Sequence, residues 1–243
     1  MKITEAMVLA AGLGTRMRPL TETTPKPLIK VAGKPLIDYA LDILADAGVA
    51  RAAVNVHHHA DQMVAHLSSF PRMEVLISDE LDTLLNSGGG LVKGLRLLGR
   101  NPVFVMNADL FWVGDEEGGN SNLRRLADFF DPETMDMALL CVPPDRTTGH
   151  NDKRDFSMAV DGRLTRYREG DENPVVYAGA MVLDPALFDD APDGAFNLNL
   201  YFDKAIAAGR LYGLQLSGRW ITVGTPEAIK AAEQVIDILT ESS

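Results

Sequence analysis

The stretch LAAGLGTRMRPLT, residues 9–21, followed at 25–28 by PKPL, decides how the rest of the chain is read. An apolar run from Ala6 to Ala11 stops at Gly12, and a loop carrying Gly12, Gly14, Arg16, Arg18 and Lys26 begins. Glycines at 12 and 14 let the backbone approach a ligand closely and adopt dihedrals closed to other residues, so successive N–H groups face one concavity. Arg16, Arg18 and Lys26 add cationic donors suited to phosphate oxygens, the arginines as planar forks and the lysine as a point charge. The implied ligand is a polyanion. The other reading is a tight surface turn with solvated arginines, but a glycine loop placed directly after an apolar strand recurs at nucleotide sites. Two phosphate loops are excluded by spacing. A dinucleotide fingerprint needs a third glycine where Met17 stands, and a Walker A loop needs Gly-Lys-Ser/Thr, which is absent.

The segment resembles the signature of the sugar-1-phosphate nucleotidyltransferases, or nucleotide-sugar pyrophosphorylases, whose pattern is LAAGxGTRxxPLT followed by PKPL. Within that superfamily the whole chain is most similar to the short bacterial enzymes that uridylylate N-acetylmuramic acid 1-phosphate, and next to the mannose-1-phosphate guanylyltransferases. The resemblance implies nucleotidyl transfer from a nucleoside triphosphate to a sugar 1-phosphate, with Mg²⁺ as cofactor and a role in peptidoglycan recycling. It further implies that Ala10, Ala11, Gly12, Gly14, Thr15, Ser87, Gly88 and Asn107 border the nucleotide. Arg16 would serve the β- and γ-phosphates, and Lys26 the α-phosphate and the incoming sugar phosphate, as the catalytic pair. The alternatives are a mannose-1-phosphate guanylyltransferase and a nucleotide-sugar-binding protein without turnover.

Composition is compatible with this. An apolar fraction of 46% and a charged fraction of 23% over 243 residues are ordinary for a globular protein with a substantial core. The net charge of -11 argues against a nucleic-acid partner. Acidic body and basic loop together suit a small anionic ligand. The single cysteine, Cys141, lies in the apolar run MALLCV and forms no internal disulfide, which suits a reducing compartment. No apolar segment approaches membrane-span length, and the N-terminal run is too short for a secretory signal, so a cytoplasmic monomer or small homo-oligomer is expected.

Along the chain, Ile37, Ala40, Leu41 and Leu44 fall at helical spacing, with Gly48 closing the helix. Strands are expected at 52–56 and 73–77 with a helix at 60–67 between them. This β-α-β-α-β order predicts an α/β, Rossmann-like, doubly wound and mainly parallel sheet with ligand at the strands' carboxyl ends. One domain, 1–243, is read as a nucleotide-binding half at 1–142 and a sugar-binding half with a C-terminal helix at 143–243. Gly88 to Gly90 open a helix carrying Leu91, Leu95 and Leu98 and leave free N–H groups at its start, or else form a flexible linker. VFVM at 103–106 reads as a central parallel strand ending in Asn107-Ala108-Asp109. Asp109 there is a Mg²⁺ ligand or a turn-capping residue, and the resemblance favours the ligand. The run 111–122 is acidic and glycine-rich, suggesting a mobile loop, and Asn122 stands as a possible helix start.

Beyond 142 the pattern changes to two short alternating runs around Asp161-Gly162, a hairpin signal and an antiparallel excursion. The resemblance assigns it to the sugar side, with Gly179 on a strand in close backbone approach. Glu169 and Asn173 are sugar contacts or residues of a solvated loop. A helix is expected at 196–209 and another after Thr225-Pro226, with Ile229, Ala232, Ile236 and Leu239 as its stripe. The motif RWITVGTPE departs from the family's W-x-D-V-G-T-P-E at Thr222, where a second metal-binding aspartate is usual. Either the cation leans on Asp109 and nucleotide phosphates, or Asp155 or Asp152 supplies the missing acid, or the chain binds without turnover. Asp155 is also a sugar-side candidate. His57 and His59 would share a face at a strand end, but no third ligand at sensible spacing accompanies them, which favours a polar loop.

Overall fold

The fold, described from a computed structural model, covers residues 1–114 and 121–241, with side chains to residue 238. The acidic segment at 115–120 and the side chain of Leu239 lie outside the described residues.

The first half runs β1 (Glu5–Leu9), β2 (Lys30–Val31), β3 (Lys34–Pro35), α1 (Leu36–Asp46), β4 (Arg51–Val56), α2 (Ala60–Leu67), β5 (Glu74–Asp79), α3 (Asn86–Leu95), β6 (Val103–Asn107) and β7 (Leu110–Val113). The second half runs α4 (Asn122–Phe129), β8 (Met137–Val142), β9 (Thr147–Thr148), β10 (Phe156–Met158), β11 (Leu164–Arg166), β12 (Pro174–Leu183), α5 (Asn199–Ala207), β13 (Leu211–Gln215), β14 (Arg219–Thr222) and α6 (Pro226–Glu241).

The central sheet follows the order β11-β10-β12-β6-β1-β4-β5, with β8 and β13 joined through β12. β6, β1, β4 and β5 are mutually parallel, and β12 turns antiparallel against β6. Between β1 and β6 the direction of winding reverses, which in open α/β sheets is where the crevice for a ligand lies. The expected doubly wound sheet and the antiparallel excursion are both present. β10 pairs with β11 around Gly162, whose φ of 87° is open to glycine, and with the start of β12.

Apolar residues cover both faces. Ala6, Val8, Val54 and Phe104 pack with Ile37, Leu41 and Leu44 of α1 and with Met63 of α2. Met7, Ala53 and Val105 pack on the other face with Leu91 of α3 and Phe202 of α5. Alternate residues of β1 thus enter opposite cores, as the period of a strand demands. A third core lies where Phe111 of β7 and Ile221 of β14 meet Leu36 and Ala232.

α4 starts at Asn122 as expected, and Ser121 before it is the cap, its hydroxyl accepting from the Arg124 N–H at 3.4 Å. Asn122 sits inside the first turn, fully buried, and exchanges two hydrogen bonds with the Ser217 backbone at 2.8 and 2.9 Å. The 196–209 helix begins only at Asn199, because 196–198 hydrogen-bond to the start of α3.

Gly179 marks an irregularity of register in β12, with φ 70°, and a Cβ there would stand 2.1 Å from Leu110 Cδ2 and 3.1 Å from Asn107 Nδ2. Gly179→Ala should therefore lower folding stability by about 2–4 kcal/mol, the sum of left-handed strain and overpacking. Urea denaturation measures this, and a loss below about 0.5 kcal/mol would contradict the close packing.

Candidate nucleotide site

The ends of β1, β4 and β6 and the entry to α3 enclose a cavity of about 290 Å³. Ala10, Ala11 and Gly12 form one wall, Leu84, Asn86 and Ser87 the other. Lys26, Asn107 and Asp109 stand on the same cavity, with Asn55 among its residues. The sheet places them so. β1 and β6 are in register with Leu9 opposite Asn107, and the Ala108 N–H donates to the Leu9 carbonyl at 3.1 Å, so both strands end level and open onto one space.

Lys26 lies 17 residues after Leu9 yet returns to the cavity because of Gly14. Gly14 is left-handed at φ 62°, and a Cβ there would come within 2.9 Å of both Lys26 Cβ and Thr21 Cγ2. Its carbonyl accepts from the Thr21 hydroxyl at 3.0 Å. The loop folded this way brings Lys26 Nζ to 2.5 Å from Asp109 Oδ2. The lysine side chain is 11% exposed and the aspartate 36%, so the pair lies at the rim between protein and water. Among the described residues, no atom occupies the space a side chain would take at Gly12. Thr15 and Arg16 lie farther along the loop in a short 3₁₀ turn, exposed, and are not cavity residues. Met17, where a dinucleotide loop would have glycine, is fully buried in the third core.

Sequence reading missed the polar scaffold behind the cavity. Asn55 Oδ1 accepts from the Ala10 N–H at 2.6 Å, Asn55 Nδ2 donates to Glu80 Oε1 at 2.6 Å, and Glu80 Oε2 accepts from the Leu85 N–H at 2.9 Å. Asn55 is 3% exposed and Glu80 1%. The available signal was a lone asparagine in the apolar run AAVNV.

The start of α3 differs from expectation. Gly88 is not a free N–H pointing outward. It donates to the Phe196 carbonyl at 2.9 Å, and a Cβ on it would meet the Phe196 ring at 2.2 Å. Ser87 lines the cavity, while its hydroxyl accepts from the Leu198 N–H at 3.0 Å. The glycines are thus used for close packing of helix on loop, and the ligand side of α3 is left to Asn86 and Ser87.

The sugar-side candidates are not brought to this cavity together. Gly179 on β12 lies close enough to Asn107 that a Cβ there would stand 3.1 Å from its Nδ2. Asp155, just before β10, is tied to β12, accepting from the Tyr177 N–H at 3.0 Å, and pairs with Lys153 at 3.2 Å. Burial pushes the neighbouring Tyr177 hydroxyl far above its usual range. Glu169 and Asn173 are exposed on the hairpin side, Asn173 at φ 49°. Asp152 is likewise exposed and left-handed, at φ 59°.

Thr222 stands beside Asp109. It pairs with Leu110 across β14 and β7, and the Val223 N–H donates to the Asp109 carbonyl at 3.1 Å. Trp220 fixes this small sheet to β12 through an indole N–H donated to the Ala178 carbonyl at 3.0 Å. Asp109 is therefore the one carboxylate among the described residues of the cavity. No cluster of three His, Cys, Asp or Glu side chains suited to a metal occurs among the described residues. Two of the three histidines at 57–59 serve the scaffold: His57 Nδ1 lies 2.8 Å from the Glu80 carbonyl and His58 Nε2 2.9 Å from the Thr21 carbonyl. No described helix is long and apolar enough to cross a membrane.

Comparison with known proteins identifies the family and the fold. Residues 5–149 match the family model described as nucleotidyl transferase. An N-acetylmuramate alpha-1-phosphate uridylyltransferase of Caulobacter vibrioides is 43% identical over 94% of this chain and 95% of its own length. One of the same name from Neisseria meningitidis is 33% identical over 94% of this chain and 96% of its own. Among solved structures, UDP-glucose pyrophosphorylase complexed with UDP-glucose superimposes with a TM-score of 0.77 at 17% identity, covering 97% of this chain and 99% of that one, a likeness of fold. With its signature loop, its strand switch point and its relatives in agreement, the chain belongs to the sugar-1-phosphate nucleotidyltransferase family.

Proposed function

We propose that this chain transfers the uridylyl group of UTP to N-acetylmuramate α-1-phosphate, forming a UDP-sugar and releasing pyrophosphate, in the cytoplasm and in the service of cell-wall recycling. The observation that carries the reading is Lys26 and Asp109 joined at the rim of a cavity at the strand switch point, opposite a glycine loop. The choice of substrates is supported by the relatives' names.

In this reaction an oxygen of the sugar phosphate forms a bond to the α-phosphorus of the triphosphate, and the bond from that phosphorus to the bridging oxygen of pyrophosphate breaks. The nucleophile is already an anion, so no general base is required. The protein's task is to align attacking and leaving oxygens and to offset charge on them. Lys26 supplies a point charge for the α-phosphate and the sugar phosphate. Arg16 extends from the loop toward the β- and γ-phosphates, its fork matched to their oxygens. Phosphate oxygens compete with Asp109 for Lys26, so nucleotide binding separates the pair at 2.5 Å.

The residues present fit Mg²⁺, which is commonly held through one or two carboxylates together with substrate phosphates and water. Asp109 would hold it, and Thr222 would contribute at most a neutral oxygen. Bound there, the cation would offset charge on the phosphates. A cation held by so few protein oxygens depends on the nucleotide for its remaining ligands.

Pyrophosphate release, measured for UTP, CTP, GTP and ATP against muramic, glucosamine and mannose phosphates, tests the reading. UTP with the muramic sugar should give the highest kcat/KM, and preference for GTP with mannose phosphate, or no turnover anywhere, would overturn it. Lys26→Ala and Arg16→Ala should each lower kcat/KM by about 100-fold or more with an unchanged circular dichroism spectrum, and near-wild-type rates would refute their roles. Thr222→Asp should tighten the Mg²⁺ dependence of nucleotide binding about tenfold in calorimetric titrations, whereas an unchanged dependence would separate position 222 from the cation.

A further inference from the structure

The Asn55–Glu80 pair holds both walls of the cavity at once. Three hydrogen bonds run in series from the Ala10 N–H through Asn55 and Glu80 to the Leu85 N–H, at 2.6, 2.6 and 2.9 Å. Ala10 belongs to the loop wall, and Leu85 lies between Leu84 and Asn86 of the opposite wall. Further contacts clamp the pair from outside. His57 approaches the Glu80 carbonyl at 2.8 Å. Gly90 of α3 passes so close that a Cβ would stand 2.6 Å from Glu80 Oε1 and 2.7 Å from Asn55 Nδ2.

The chemistry is specific to these residue types. A carboxylate accepts at both oxygens, so Glu80 serves two donors from opposite directions. A glutamine in its place carries one accepting end and turns a donor toward the other partner. The carboxylate is 1% exposed, its bonds are to neutral donors, and such a group is costly to bury, so an apolar residue would serve simple packing better. What the apolar residue would not do is set a distance.

We propose that Asn55 and Glu80 are positioning residues that fix the separation of Ala10 from Leu85, and through it the width of the nucleobase slot and the preference for one base. This rests on the nucleotidyltransferase reading above. Neither residue needs to touch the reacting phosphates.

The test uses Glu80→Gln, Asn55→Asp and the double variant in the full chain. Each single change breaks the donor–acceptor series. The double variant restores it with reversed polarity: the carboxylate introduced at position 55 accepts from the Ala10 N–H and from the amide introduced at position 80, and the carbonyl of that amide accepts from the Leu85 N–H. UTP affinity is measured by calorimetry without sugar phosphate, and kcat and KM are measured for UTP, CTP and the sugar phosphate. Each single variant should bind UTP about tenfold more weakly and lose about fivefold of its discrimination against CTP, with KM for the sugar phosphate unchanged. The double variant should return to within about threefold of wild type on both measures. Singles that match wild type, or a folded double variant no better than the worse single, overturn the proposal. If the singles fail to fold, Gly90→Ala presses on the same pair from α3, and unchanged discrimination in that variant overturns it equally. A wild-type chain that binds no UTP overturns the functional reading and this inference together. Binding in wild type with indifferent variants overturns the inference alone.

Discussion

Everything at the site depends on the register of β1 against β6. Leu9 stands opposite Asn107, so two parallel strands end level at the centre of the sheet while their connections leave in opposite directions. A slip of one residue would exchange the faces of both strands. Met7 forbids it, being fully buried on the α3 side, where Gly94 makes room for its thioether; a Cβ on Gly94 would stand 2.1 Å from Met7 Sδ. Once that register is held, the loop after β1 and the turn after β6 face one another across the cavity. Lys26 can then reach Asp109, although they are 83 residues apart in the chain.

What the sequence made legible was local. The spacing of Ile37, Ala40, Leu41 and Leu44 marks one face of α1, and all four are fully buried. The glycine loop, the uninterrupted strand β6 and the hairpin at Gly162 carry their signals within a few residues, and seven of the proposed site residues line one cavity. The remainder was illegible because its partners are distant. Asn55 reads as a polar interruption of a strand until Ala10, 45 residues earlier, is seen to need its oxygen. Glu80 reads as a loop acid, yet it is buried. Asn122 is legible as the start of α4, but its pairing with the Ser217 backbone, 95 residues on, is not.

The glycines of α3 illustrate the same limit. Gly88, Gly89, Gly90 and Gly94 fall within ten residues of helix, where each costs roughly 1 kcal/mol relative to alanine. Such content suggests a loop. The helix persists because each glycine admits a specific neighbour: the Phe196 ring at Gly88, the Gly194 carbonyl at Gly89, Glu80 and Asn55 at Gly90, and Met7 at Gly94. Close approach of α3 to the sheet and to the 194–198 segment offsets the lost propensity, and it is this approach that carries Asn86 and Ser87 to the cavity wall. Glycine here trades helix propensity for proximity.

An acidic chain with a site for anions is not a contradiction once the charges are located. Several arginines away from the signature loop are neutralised by nearby acids: Arg72 by Asp42 and Asp46, Arg166 by Asp203, and Arg100 by Asp189, whose carboxyl it holds below the usual range. Arg16 and Arg18 differ, because their exposed side chains have no ion-pair or hydrogen-bond partner among the described residues. Screening at physiological salt falls off over about 8 Å, so acids elsewhere on the surface do little to cancel the field of unpaired cations in the loop. A phosphate ligand therefore meets the local excess of positive charge and not the net -11 of the chain. Lys26 is held at the rim by Asp109, and the two unpaired arginines precede it in the same segment, so the signature stretch carries both a paired cation and free ones.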